Sequence, residues 1–390
     1  MRKPVEATSF SLQCSNELES IEPVWRALEA APECPVHQTY DWCRGWIIET
    51  GAKPLIITAV YGSGARSGET AFILPLYITR HGPLKVAKYI AAPFNNVNFG
   101  VFSSHFLDDA NPATMLELRR ELAKLPLGVD FVHLDRQPLE WHGYRNPFSH
   151  WPSVENQNRS FHVTLDGDFS AVLSRGNAKR RRKRFRKSER KLDEIGGYDF
   201  IKAGTADEAR ELLEEFYLQK SARFAYQGLP EIFGDPDIQA YFHRLAQESV
   251  GQERKMIEMY AIRLRQHDGL ICALAALSSK GRDIICQFSS IAMGPTEHAS
   301  PGELLFYLII RDACESGANM FDFGVGDEPY KRNWCDVETR HYDTYLAVTA
   351  AGRVGTLSAR IATDVKRFVK SRPGVFKLAK AVRLWITNAR

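Results

Sequence analysis

The sequence predicts an α+β fold of two lobes, each a mostly antiparallel sheet flanked by helices. Three observations carry that prediction. Both halves of the 390-residue chain read in one order: two helices, three strands joined by tight turns, a helix and a strand. The strand runs are short, apolar and bounded by glycine-containing turns, which favours antiparallel neighbours. Hydrophobic residues make up 44% of the chain, enough to bury two such sheets against their helices.

Each element has a local reason. In the first half, "NELESIEPVWRALEA" and "TYDWCRGWIIETG" are amphipathic helices that turn Trp25, Trp42 and Trp46 inward, with Gly51 as a stop signal. "PLIITAVYG", "ETAFILPLYITR" and "VAKYIAAP" are the strands. "NPATMLELRRELAKLP" is a helix closed by a proline, "VDFVHLDR" a buried strand, and "SFHVTLDG" opens a new unit. In the second half, "TADEARELLEEFYLQKSARF" starts on a Thr cap and "DPDIQAYFHRLAQESV" follows it. "IEMYAIRLRQHDG", "LICALAALSSKGR" and "DIICQFSSIAM" are three strands, "SPGELLFYLIIRDACESGA" a helix ending at Gly317, "NMFDFGVG" a strand and "RHYDTYLAVT" one more. The lobes are expected over 1–165 and 166–350, followed by a basic amphipathic helical tail over 351–390.

Charge is segregated. The net +4 hides eleven Lys/Arg against one acid in 175–191, and ten against one in 351–390. The rest of the chain carries 30 basic and 45 acidic residues. The start of the chain lacks an apolar core suited to a signal peptide, and no run of 18 apolar residues predicts a membrane span. Seven cysteines without CxxC spacing argue against a disulfide framework or a zinc ribbon, so no metal site is expected. A reduced, cytoplasmic protein is the expectation.

The stretch "FDFGVGDEPYKRNW" (321–334) is chemically the densest. Its glycines do not make a dinucleotide fingerprint, which needs a third glycine and a helix at that point, nor a P-loop, which needs Gly-Lys-Ser/Thr. A plain strand end with a glycine turn is one reading. The other gives Asp322 a role: it opposes Phe321 and Phe323 on the strand, and a buried carboxylate needs a partner, with Tyr330, Lys331 and Arg332 close by. A structural ion pair would serve equally. Just upstream, Ser300-Pro301-Gly302-Glu303 fits a helix start with a capping box. That start also presents unpaired amides suited to a phosphate, and "QFSSIAM", with Ser289 and Ser290, leads towards it.

Taken together, "SPGELLFYLIIRDACESGANMFDFGVGDEPYKRNW" resembles the C-terminal signature of the CelD/BcsL-like acetyltransferases of cellulose biosynthesis. These belong to the GNAT superfamily and are related to FemAB-type aminoacyltransferases. The resemblance rests on Pro301, Gly302, Gly317, Phe321, Asp322, Phe323, Gly326, Asp327, Glu328, Tyr330, Lys331 and Trp334, and is strongest over 170–350. The "RGNAKRRRKRFRKSERKLDEIGG" run is similar to the helix that precedes the catalytic half in that family.

The resemblance implies tandem GNAT-like lobes, the first degenerate, and acyl transfer from a thioester, usually acetyl-CoA, to an amine or hydroxyl. It implies a donor site at Ser289, Ser290, Ser300, Pro301, Gly302 and Glu303. Where the family carries a glycine-rich pyrophosphate loop, "TEHASPGEL" has a single glycine. The chemistry asks for a base, an oxyanion-holding amide and a donor to the leaving thiolate. Asp322, Tyr330, Lys331 and Glu328 are the catalytic candidates, with Asp327, Glu297 and His298 as further bases. The acceptor is an unknown small molecule or glycan of the cell envelope.

An aminoacyl-tRNA or an acyl carrier protein is the alternative donor, and the Arg-rich run would steer any of these phosphorylated partners. A further alternative is an inactive accessory protein that binds nucleic acid or membrane. In the tail, Val375, Phe376, Ala379, Val382 and Trp385 or Ile386 recur at helical spacing between Lys377, Lys380 and Arg383. Such a helix either packs on the domain or lies on the inner face of an anionic membrane.

Overall fold

The computed structural model describes residues 9–294, 296–372, 374 and 375. Along the chain come β1 (Phe10–Ser15), α1 (Glu22–Glu29), α2 (Tyr40–Thr50), β2 (Lys53–Tyr61), β3 (Thr70–His81) and β4 (Leu84–Tyr89). Then follow α3 (Pro112–Leu122), β5 (Phe131–Pro138), β6 (Ser153–Thr164), α4 (Ala178–Asp193), β7 (Tyr198–Lys202), α5 (Ala206–Gln227) and α6 (Pro236–Ser249). The remainder is β8 (Lys255–Leu264), β9 (Ile271–Lys280), β10 (Asp283–Ile291), α7 (Pro301–Glu315), β11 (Met320–Val325), α8 (Pro329–Trp334), β12 (Val337–Ala347) and α9 (Ala350–Ser371).

Local signals explain most boundaries. Gly51 and Gly228 end α2 and α5 in the left-handed region (φ 61 and 60), which glycine enters without a Cβ penalty. Thr205 and Glu208 close a reciprocal capping box at the head of α5, and Asn111 caps α3 through the amides of Ala113 and Thr114.

The described residues divide into two compact units, 9–158 with 340–372, and 159–339 with 374 and 375. In the first, β1, β2, β3 and β4 are antiparallel neighbours, β4 pairs parallel with β5, and β12 runs antiparallel to β5. In the second, β7, β8, β9 and β10 are antiparallel, β10 pairs parallel with β11, and β6 runs antiparallel to β11. The α+β class with mostly antiparallel, mixed sheets is thus as expected, and the two units share one strand order. The strand "RHYDTYLAVT", read as continuing the second half, pairs instead with β5, His341 opposite Pro138. Nothing local encodes a partner two hundred residues away.

Large aromatic side chains fill the interiors. Trp25 and Trp42 are 0% exposed in the first unit, as are Phe216 and Phe321 in the second. Helix α9 lies against β4 and β5 through small residues: a Cβ on Gly352 would fall 1.8 Å from the carbonyl oxygen of Asp130, so only glycine fits there. Apart from Val375, the amphipathic stretch expected over 375–386 lies outside the described residues. Among the described residues no helix is long and apolar enough to cross a membrane, and no group of three or more His, Cys, Asp or Glu could hold a metal ion.

Candidate active site

The second unit opens its sheet at one place. β10 and β11 pair only from Asp283–Ile285 to Met320–Asp322, after which β10 continues to Ile291 with no further pairing to β11. On its other edge β10 loses register with β9 between Ala276–Phe288 and Leu277–Cys286. Gln287 is the extra residue, a β-bulge that bends the strand and re-aims its backbone groups. Beside the parted strands lies a cavity of about 400 Å³. Its walls are Ser289, Ser290 and Ile291 of β10, residues 300–303 with Phe306 and Tyr307 at the head of α7, and Tyr330 and Trp334 of α8. Arg181, Arg184 and Phe185 of α4, Arg223 of α5 and the candidate base Glu297 also line it.

All six expected donor-site residues meet at this cavity. The capping box read at Ser300 is not formed. Ser300 sits in the left-handed region (φ 56, ψ 52) and its side chain caps no amide, while Glu303 accepts from Arg184 at 2.7 Å. A non-glycine residue there costs energy. The close seat of α7 on β10 requires Gly302, where a Cβ would stand 2.6 Å from Ile291 Cδ1.

The catalytic candidates are placed differently from one another. Tyr330 faces the cavity. Its ring stacks on Phe306 (5.6 Å, 15°) and meets Phe323 edge-on (5.8 Å, 70°), and its hydroxyl is directed at the Ser289 side chain. Burial, with Cys286 and Glu328 nearby, raises its pKa above the usual phenol value, so the proton stays on.

Asp322, Glu328 and Lys331 do not line the cavity. Asp322 is 1% exposed and opposes His162 of β6; its carboxylate accepts the Gly324 amide at 2.7 Å. Gly324 makes that possible with a φ of 72, which answers what the first glycine of the stretch is for. Burial raises the Asp322 pKa, against the lowering influence of His162, the Gly324 amide and Lys331. Lys331 is 3% exposed and donates to the carbonyls of Gly324 and Val325 (3.2 Å each) and to Glu328 (3.0 Å). It ties α8 to the end of β11. Arg332 pairs with both oxygens of Asp327 at 2.7 and 2.8 Å.

Sequence reading missed two cations of α5. Lys220 is half-buried and its pKa is lowered, first by burial and then by Arg223; Glu328 and Cys286 are among its neighbours. Arg223 donates to the Ile291 carbonyl at 3.2 Å and faces Glu297 at 3.8 Å. Their spacing on one turn of a long helix is the only signal, and many surface helices share it. The Arg-rich helix α4 also contributes more than charge. Phe185 stacks on Tyr307 (4.1 Å, 20°), Arg181 lies over Trp334 (4.7 Å), and Lys191 donates to the His298 carbonyl at 2.6 Å. Burial pushes the Cys286 thiol up to about 12, so it supplies no thiolate nucleophile.

A mixed sheet that parts beside a bulged strand, with a helix start at the gap and a tyrosine on its wall, defines a GNAT-type acyltransferase fold. Residues 179–332 match the model of the acetyltransferase (GNAT) domain, which makes the chain a transferase by its domain content. Among solved structures the chain is similar to FemX at 12% identity (TM-score 0.58), covering 89% of this chain and 99% of that one. It is also similar, again at 12% identity (TM-score 0.50), to the C-terminal domain of a lysylphosphatidylglycerol synthetase candidate from Agrobacterium fabrum, over 88% and 97% of the two chains. At such identity these likenesses concern the fold alone. No curated protein matches the chain.

Proposed function

We propose that the second unit moves an acyl group, acetyl in the simplest case, from a CoA thioester to an amine or hydroxyl of a cell-envelope or polysaccharide-related acceptor. The carrying observation is the cavity beside the parted strands, with the head of α7 at one end and Tyr330 on its wall. In this reading the Gly302 amide at the start of α7 and the guanidinium groups of Arg181, Arg184 and Arg223 hold the donor phosphates. The bulged backbone of β10 stabilises the carbonyl oxygen as it takes charge. Tyr330 donates a hydrogen bond to the departing sulfur. Glu297, the candidate base that lines the cavity, accepts the proton of the attacking group. The acceptor attacks the thioester directly, so no enzyme nucleophile is needed. Asp322 and Lys331 keep β11 and α8 in place instead of touching the reactants. The cellulose-biosynthesis resemblance supports the envelope acceptor.

The test is release of free thiol from acetyl-CoA by the purified chain, with glucosamine, lysine and glucose as probe acceptors. Acceptor-dependent release supports the reading. Thiol release at the rate of the uncatalysed control with every acceptor, alongside unimpaired folding, refutes it.

One observation favours a second donor class. On α4, Lys179, Arg180, Arg182, Lys183, Arg186 and Lys187 are all exposed, a surface suited to a larger polyanion such as aminoacyl-tRNA or an acyl carrier protein. Replacing Arg180 and Lys183 by Glu separates the donors. Turnover of acetyl-CoA should change by less than about twofold at moderate salt, while use of a tRNA-borne donor should be lost.

A further inference from the structure

Helix α9 is amphipathic in the reverse sense. The face it buries is made of small and polar residues: Gly352, Gly355, Thr356 and Thr363. Gly352 meets the Asp130 carbonyl, Gly355 approaches Leu84 and Phe131, and Thr363 bonds the Tyr345 hydroxyl at 2.9 Å. The large apolar side chains face solvent instead. Val354 is 71% exposed, Leu357 60%, Ile361 54%, Val365 55% and Phe368 50%. Spaced by three and four, these five share one face and form a stripe roughly 21 Å long at 1.5 Å per residue. Single exposed apolar residues need no explanation, but a continuous stripe on one helix marks an interaction surface.

We propose that this stripe is a seat for an anionic lipid bilayer, with α9 lying in the plane of the interface. Charge selects that occupant. From 350 to 372 the chain carries Arg353, Arg360, Lys366, Arg367, Lys370 and Arg372 against a single carboxylate, Asp364. Arg353 is exposed beside one margin of the stripe, and Arg372 folds over the Phe368 ring at 4.2 Å. Apolar residues that enter the acyl boundary, with cations beside them at the headgroup level, are the composition of an interfacial helix.

The other occupants fit less well. A second copy would bring the same cations against themselves. A coiled-coil seam continued from Val354, Leu357 and Ile361 would next need apolar residues at 364 and 371, where Asp364 and Ser371 stand. The remaining C-terminal segment, 376–390, contains Lys377, Lys380, Arg383 and Arg390 and no acid, so it too is like-charged.

The experiment is flotation of the full chain with vesicles of phosphatidylcholine alone and of phosphatidylcholine with 30% phosphatidylglycerol, for the wild type and for Leu357→Glu/Ile361→Glu. Both substituted positions are exposed, and a thermal melt checks that the variant folds. The wild type should partition onto the anionic vesicles at least ~10-fold more strongly than onto neutral ones, a factor that two or three interfacial cations supply. The double variant should lose that binding while its oligomeric state, read by light scattering, stays unchanged. Absence of wild-type binding to anionic vesicles overturns the proposal, as does unaltered binding of the variant. Conversion of a wild-type dimer to a monomer by the same substitutions also overturns it, in favour of a second copy. Acetyl-CoA turnover without vesicles should be unaffected, so this surface and the acyl-transfer site fail independently.

Discussion

Replacing Tyr330 by Phe removes one oxygen from the cavity wall and little else. The ring is held by Phe306 at 5.6 Å and Phe323 at 5.8 Å, and Phe preserves both contacts. The hydroxyl faces Ser289, so its loss should lower stability by about 1 kcal/mol, the net value of a neutral hydrogen bond. Turnover should fall much further. Burial holds the Tyr330 pKa high, so the phenol acts by hydrogen-bonding the sulfur as negative charge develops there, and full proton transfer to the thiolate is uphill. A hydrogen bond to a charged partner contributes roughly 1.5–3 kcal/mol, which corresponds to a loss of about 10- to 150-fold in kcat. KM for acetyl-CoA should change little, because a neutral thioester sulfur is a poor acceptor in the ground state. The assay is thiol release from acetyl-CoA, with denaturant unfolding as the control. A Tyr330→Phe enzyme with wild-type kcat would refute this role. Equal loss of folding stability and of activity would reduce Tyr330 to a packing residue.

Further predictions concern the scaffold. Lys331→Met strands the carbonyls of Gly324 and Val325 and leaves Glu328 without its partner, so stability in urea should drop by about 2 kcal/mol while acetyl-CoA affinity of the folded protein is kept. Wild-type affinity lost in a fully folded variant would put Lys331 in the donor site after all. His341, 0% exposed, has its pKa lowered from 6.5 to about 4, first by burial. The unfolded chain therefore binds more protons between those values, and stability should fall by about 3 kcal/mol as pH drops from 6.5 to 4. Urea titrations should show that slope in the wild type and a shallower one in His341→Gln; identical slopes would contradict the assignment. Gly352→Ala drives a methyl into the Asp130 carbonyl and should unseat α9, seen as protease cleavage after Arg353 or Arg360 that the wild type resists.

Much of the fold was legible because the signals are local. The runs that became β2, β3, β8 and β9 are apolar and bounded by turn residues, and Thr205 announced α5 three residues before Glu208 completed the box. β7 was missed: at five residues it is short, and none of its residues is fully buried, so it leaves no apolar run. α8 went unread because six residues after a proline carry no periodicity. The helix start at Pro301 was legible, but the left-handed backbone at Ser300 was not, since serine is an ordinary cap and nothing in its neighbours signals a positive φ. The site divided in the same way. Tyr330 and the 300–303 segment were found from the motif, whereas Arg223 reaches the cavity only through the packing of α5 on β10, which no short stretch encodes.

The central claim is that the cavity beside the parted strands receives a CoA thioester. Calorimetric titration of the purified protein with acetyl-CoA tests it directly, in the wild type and in Arg184→Glu/Arg223→Glu. The account predicts micromolar binding in the wild type and a loss of at least ~10-fold in the variant, since two phosphate-facing cations become anions. Wild-type protein that is folded yet takes up no acetyl-CoA, or a variant that binds as tightly as wild type, would contradict it.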